Sequence, residues 1–77
     1  MNGAQKVGAF LLEMARRSSD GADSFDLPVS RYDMADYLGL TVETVSRVLT
    51  RLRSRGAIRI DHGRRITIID HEALEEG

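Results

Sequence analysis

The sequence predicts a mostly α-helical fold carrying a small antiparallel β wing. Three observations predict it. Two helical segments meet across Leu38-Gly39-Leu40-Thr41, a short turn that contains glycine. In the second of these segments Val45, Val48, Leu49 and Leu52 fall on one side, within about 60° of Val45 at roughly 100° per residue. Behind it, Ile58 and Ile60, then Ile66 and Ile68, alternate with polar residues around His62-Gly63-Arg64, a hairpin signal. Helix, strand, helix, helix, hairpin is the order of a winged helix-turn-helix.

Each element has its own justification. Residues 4–19 form the first helix, because Val7, Phe10, Leu11, Met14 and Ala15 recur on one helical face. Arg16 and Arg17 occupy its last turn, where cations suit the helix dipole. Residues 18–24 are loop by composition. Phe25, Leu27 and Val29 alternate as a short strand over 25–29, which Pro28 confines to an edge or ends. Ser30 caps the second helix, with Asp33 three residues on. Tyr32 or Met34, with Ala35, Tyr37 and Leu38, supplies its apolar face, and Gly39 stops it. Thr41 caps the third helix, expected from Val42 to about Arg55 and ended by Gly56. Asp70 caps a last helical turn through Leu74, after which Glu75-Glu76-Gly77 frays.

Composition narrows the function. The 77 residues make one small domain over 1–77, and 42% hydrophobic content with 30% charge is globular rather than disordered. The absence of cysteine excludes disulfides, iron–sulfur clusters and cysteine–zinc sites. No run approaches the ~20 apolar residues of a membrane span, and the N-terminus lacks a signal-peptide pattern. A cytoplasmic, membrane-free setting is expected. His62 and His71 are too isolated to argue a metal site, and nothing resembles a nucleophile motif or phosphate loop. No enzyme activity, metal or cofactor is expected.

The net charge of −1 conceals a strong asymmetry. Residues 42–65 hold Arg47, Arg51, Arg53, Arg55, Arg59, Arg64 and Arg65 against Glu43 and Asp61, a net of +5, while the rest of the chain carries −6. A basic block inside an acidic domain suits a polyanion, although an Arg-rich helix is often only a solvated face. Glu43, Ser46, Arg47 and Thr50 lie roughly 100° to 200° from Val45, opposite the core stripe. Arg grips guanine O6 and N7, Glu accepts from cytosine N4, and Ser serves either way. Glu43 and Arg47 are four residues apart, so an ion pair between them is the plain alternative. An acid inside a DNA-facing basic block repels phosphate unless it reads a base.

The segments Leu27-Pro28-Val29-Ser30-Arg31, Asp33-Met34-Ala35-Asp36-Tyr37-Leu38-Gly39-Leu40-Thr41 and Val42-Glu43-Thr44-Val45-Ser46-Arg47-Val48-Leu49 resemble the DNA-binding domain of Crp/Fnr-type bacterial transcription regulators. The likeness continues through Gly56-Ala57-Ile58 and the His62-Gly63-Arg64 wing and covers nearly the whole chain. Glu43-x-x-Ser46-Arg47 with Val42 before it resembles the Fnr and FixK branch, not the Arg-Glu-x-x-Gly-Arg pattern of the catabolite-activator branch. The resemblance implies base reading by Glu43, Ser46 and Arg47 in a TTGAT-type half-site repeated as an inverted pair. It implies phosphate contacts from Ser30 and Arg31, from Thr41 and Thr44, and from His62. Thr50 and Arg51 on the third helix and Arg64 at the wing tip complete the expected backbone-contacting set.

The family also carries a sensor β-barrel and a dimerisation helix upstream. By resemblance the chain is therefore expected to be a C-terminal fragment, mainly monomeric and weak on DNA, of a homodimeric regulator that works with RNA polymerase. The rival reading is a winged-helix protein-interaction module, which would need no groove-reading triad and would tolerate loss of Arg47.

Overall fold

The computed structural model describes residues 1–18 and 23–76. Among them, seven elements follow in order: α1 (Gly3–Arg16), β1 (Ser24–Asp26), α2 (Arg31–Leu38), α3 (Val42–Ser54), β2 (Ile58–Asp61), β3 (Arg65–Ile68) and α4 (His71–Glu76). The fold is the winged helix-turn-helix that the residues predict, with one addition. The wing is a three-stranded antiparallel sheet in the order β1-β3-β2, not an isolated hairpin. Phe25 pairs with Ile66, and Ile60 pairs with Ile66 from the other side. The third strand matters because a lone hairpin is marginal in water.

Caps set most of the boundaries. Asn2 Oδ1 accepts from the Gln5 N–H at 2.8 Å, and Gln5 Oε1 accepts from the Asn2 N–H at 2.9 Å. This reciprocal capping box starts α1 one residue earlier than the apolar periodicity predicts. The helix ends at Arg16, short of residue 19, and Glu13 gathers the Arg16 and Arg17 guanidiniums at 2.6 and 3.0 Å. Residues 19–22 of the expected loop lie outside the described residues. Strand β1 stops at Asp26 instead of running to 29. The Leu27 N–H still reaches the Arg64 carbonyl at 2.9 Å, but Pro28 has no N–H to extend the ladder. Gly39 adopts φ 71°, the left-handed cap that ends α2. Helix α4 runs on to Glu76, so the turn expected to finish at Leu74 extends into the acidic tail. The Ala73 N–H donates to Asp70 Oδ1 at 3.3 Å.

The core draws on every element: Val7 and Leu11 of α1, Phe25 of β1, Met34 and Ala35 of α2, the Val45-Val48-Leu49-Leu52 stripe, Ile58, Ile66 and Ile68 of the sheet, and Leu74 of α4. The face expected for α2 needs correction. Met34 is the buried member, whereas Tyr32 and Tyr37 are 73% and 78% exposed. Two turns of helix can offer the core only one narrow stripe, and both phenols keep their hydroxyls in water. Tyr37 instead rests against the Phe10 ring at the surface, with centroids 5.9 Å apart. Gly8 lets two helices approach closely. A Cβ there would collide with the Leu74 backbone carbonyl, so glycine lets α1 lie directly on α4.

Candidate nucleic-acid interface

The candidate interface begins with the turn between α2 and α3. The Leu40 N–H bonds to the Ala35 carbonyl at 2.8 Å, and the Gly39 N–H to the Asp36 carbonyl at 3.2 Å. These bonds close the end of α2 and aim the chain into α3. Thr41 Oγ1 accepts from the Thr44 N–H at 3.1 Å and donates to Thr44 Oγ1 at 3.0 Å. The start of α3 is therefore capped as its sequence predicts.

Helix α3 then divides its faces. Val45 and Leu49 are fully buried, and Val48 and Leu52 are nearly so. Glu43, Arg47, Thr50 and Arg51 are exposed on the other side, and Ser46 is half-buried at its margin. Glu43 and Arg47 form no ion pair with each other among the described residues. Both side chains remain available to an outside partner. Thr44 lies off this face, half-buried, with its methyl group toward Gly3 of α1.

A second group of expected residues converges between α2 and the wing. Leu27, Val29, Ser30, Arg31, His62, Gly63 and Arg64 line a cleft of about 340 Å³ between the start of α2 and the wing turn. Ser30 Oγ accepts from the Asp33 N–H at 3.1 Å and so caps α2 at the cleft's edge. The wing turn is tight because both central residues take positive φ, 55° at His62 and 77° at Gly63, the primed geometry that suits twisted strands. Arg64 does not swing freely: its Nη2 donates to the Leu27 carbonyl at 3.1 Å. The lining contains two arginines, a histidine and a helix N-terminus, and no carboxylate. Such a surface attracts an anion through both charge and free backbone N–H groups.

The structure thus brings Ser30, Arg31, His62 and Arg64 together, and separately places Glu43, Ser46, Arg47, Thr50 and Arg51 along the outer side of α3. Sequence reasoning missed the Leu27 and Val29 floor of the cleft and the Arg64 tether to Leu27. The Leu27-Pro28-Val29 run preceding the Ser30 cap was the available signal. His71 lies away from this cleft and contacts Asp23 at 3.1 Å. Among the described residues, no group of three or more His, Cys, Asp or Glu is placed to hold a metal ion. None of their helices is long and apolar enough to cross a membrane.

Comparison with known proteins agrees with this architecture. Residues 5–76 match the Crp-like helix-turn-helix domain family. The nitrogen fixation regulation protein FixK of Rhizobium meliloti is 47% identical over 70 residues, covering 91% of this chain and 33% of that protein. The transcriptional activator protein FnrL of Cereibacter sphaeroides is 40% identical over 79 residues, covering 94% and 32%. The solved structure of FixK2 from Bradyrhizobium japonicum superposes with a TM-score of 0.89 at 41% identity, covering 97% of this chain and 37% of that one. The catabolite activator protein of Thermus thermophilus matches less closely, with a TM-score of 0.74 at 28% identity, covering 96% and 32%. The chain spans about a third of the length of these relatives. A winged helix-turn-helix with this turn, this outer face and these relatives belongs to the Crp/Fnr family of DNA-binding domains and is FixK-like within it.

Proposed function

We propose that this domain binds double-stranded DNA sequence-specifically in transcription regulation, with α3 in the major groove of a TTGAT-type half-site. Glu43, Ser46 and Arg47 read bases. Ser30, Arg31, His62 and Arg64 hold one stretch of phosphate backbone in the cleft, and Thr41, Thr44, Thr50 and Arg51 contact the backbone beside α3. The carrying observation is that Arg47 projects, unpaired, from the exposed side of a helix whose other side is sealed in the core. A bidentate guanine contact needs an arginine that is free yet rigidly based.

The wider reading follows the relatives. In the longer regulator two such domains act as a homodimer on an inverted repeat, with half-sites about 34 Å apart, in the cytoplasm and in contact with RNA polymerase. Binding of the chain to a TTGAT inverted-repeat duplex and to a scrambled duplex, at two salt concentrations, tests the core claim. Preference for the inverted repeat at both salts is expected. Equal affinity for both duplexes would refute it.

A further inference from the structure

Besides the Phe10–Tyr37 ring contact, helix α1 meets the helix-turn-helix at Lys6 and at Gly3. Lys6 Nζ donates a hydrogen bond to the carbonyl of Leu38, the last residue of α2, at 3.2 Å in a part-buried position. Nearer the N-terminus, Gly3 abuts the start of α3: a Cβ there would lie 3.1 Å from Thr44 Cγ2 and 3.5 Å from Leu40 Cδ2. Between these two holds runs the turn Gly39-Leu40-Thr41. The Ala35 and Asp36 carbonyls are already taken by the Leu40 and Gly39 N–H groups. The Leu38 carbonyl is one of those a helix end leaves without an intrahelical donor, and Lys6 supplies that donor. Its ammonium also complements the negative end of the α2 dipole.

Lys6 is the only lysine in the chain. It lines a cleft with Phe10, Met14, Tyr37 and Leu38, and that lining includes no residue expected to touch DNA. Its charge therefore serves the turn and not the duplex. We infer that Lys6 is a positioning residue for base reading. It fixes the turn between α2 and α3 against α1, and so fixes the pose in which α3 presents Glu43, Ser46 and Arg47. Groove contacts require placement to within about 0.5 Å and 10–20°, which only locked supports provide. This inference rests on the base-reading function proposed above.

The test compares the wild type, Lys6→Met and Lys6→Arg on the inverted-repeat and scrambled duplexes across a salt series, well below each protein's melting midpoint. Lys6→Met keeps the packing stem but removes the donor and the charge. Its preference for the inverted repeat is expected to fall roughly fivefold, within the range for residues that couple to a site without touching its ligand. Its salt slope should stay at the wild-type value, and Lys6→Arg should restore the preference. Unchanged preference in Lys6→Met overturns the inference. An equal loss on both duplexes with a shallower salt slope also overturns it, because Lys6 would then be a phosphate contact. Failure of Lys6→Arg to restore preference refutes the hydrogen-bonding role. A wild type without preference refutes base reading itself, and this inference falls with it. A wild type that discriminates beside a Lys6→Met that discriminates equally refutes the positioning role alone.

Discussion

Arg47 and Arg64 carry the same charge in different settings. Arg47 is exposed and unpaired on the outer side of α3, whereas Arg64 is held to the Leu27 carbonyl at the mouth of the anion-attracting cleft. If Arg47 makes the proposed bidentate base contact, Arg47→Ala is expected to cost about 1 to 3 kcal/mol on the inverted repeat and far less on scrambled DNA. Arg64→Ala should weaken both duplexes alike and reduce the salt slope by about one, since one fewer counterion is released. Titrations of both variants across a salt series check this, and equal losses on both duplexes for Arg47→Ala would remove its base-reading role. Glu13 gives a separate test by pH. The hydrogen bond from Arg16, helped by the Arg16 and Arg17 charges, holds its carboxyl below the ordinary value against a weaker opposing effect of burial. A group depressed in the fold stabilises above its unfolded value and loses that contribution as pH falls through the folded one. The difference in melting midpoint between wild type and Glu13→Gln should therefore be small, present at neutral pH and absent in acid. A difference that grows in acid would contradict the assignment.

Among the elements, α3 carries both the core and the interface. Leu49 is fully buried at its centre, so Leu49→Ala should destabilise the domain by about 2 to 5 kcal/mol through cavity formation. A thermal melt unchanged from wild type would be inconsistent with this packing. Thr41 acts at the helix start, where its hydroxyl accepts the Thr44 N–H. Thr41→Ala should cost about 0.5 to 2 kcal/mol and Thr41→Ser much less, which denaturant titration resolves. Both residues were legible in the sequence, because a cap and a period-3.6 stripe are local patterns. The strand near Phe25 was legible as well, but its place in the sheet was not. Phe25 and Ile66 are 41 residues apart in the chain, and no local pattern announces their pairing. The α2 face was legible only in part: Tyr32 and Met34 are both apolar enough to serve and Met34 is the one buried, whereas Tyr37, expected on that face, is exposed.

At the scale of the whole molecule, α1 ties α4 to the helix-turn-helix. It packs along α4 through Gly8, abuts α3 through Gly3 and bonds α2 through Lys6. Gly8→Ala places a methyl group against the Leu74 backbone, which cannot rotate away as a side chain would. The expected loss is about 1 to 3 kcal/mol from overpacking, despite the better helix propensity of alanine. A Gly8→Ala domain that melts at or above the wild-type temperature would show that α1 and α4 are free to part.

The helix limits near Gly39 and Gly56, the caps at Ser30 and Thr41, the α3 stripe and the polar residues opposite it were all encoded within a few positions of chain. Backbone hydrogen bonding and 3.6-residue periodicity act over that distance, so the residues alone determined them. The cleft uniting Ser30 and Arg31 with His62 and Arg64 required tertiary structure. So did the tether from Arg64 to Leu27, the seat of Gly8 on α4 and the bond from Lys6 to Leu38. Each joins groups roughly 30 or more positions apart, and those meet only when burial of one shared core fixes the relative placement of whole elements.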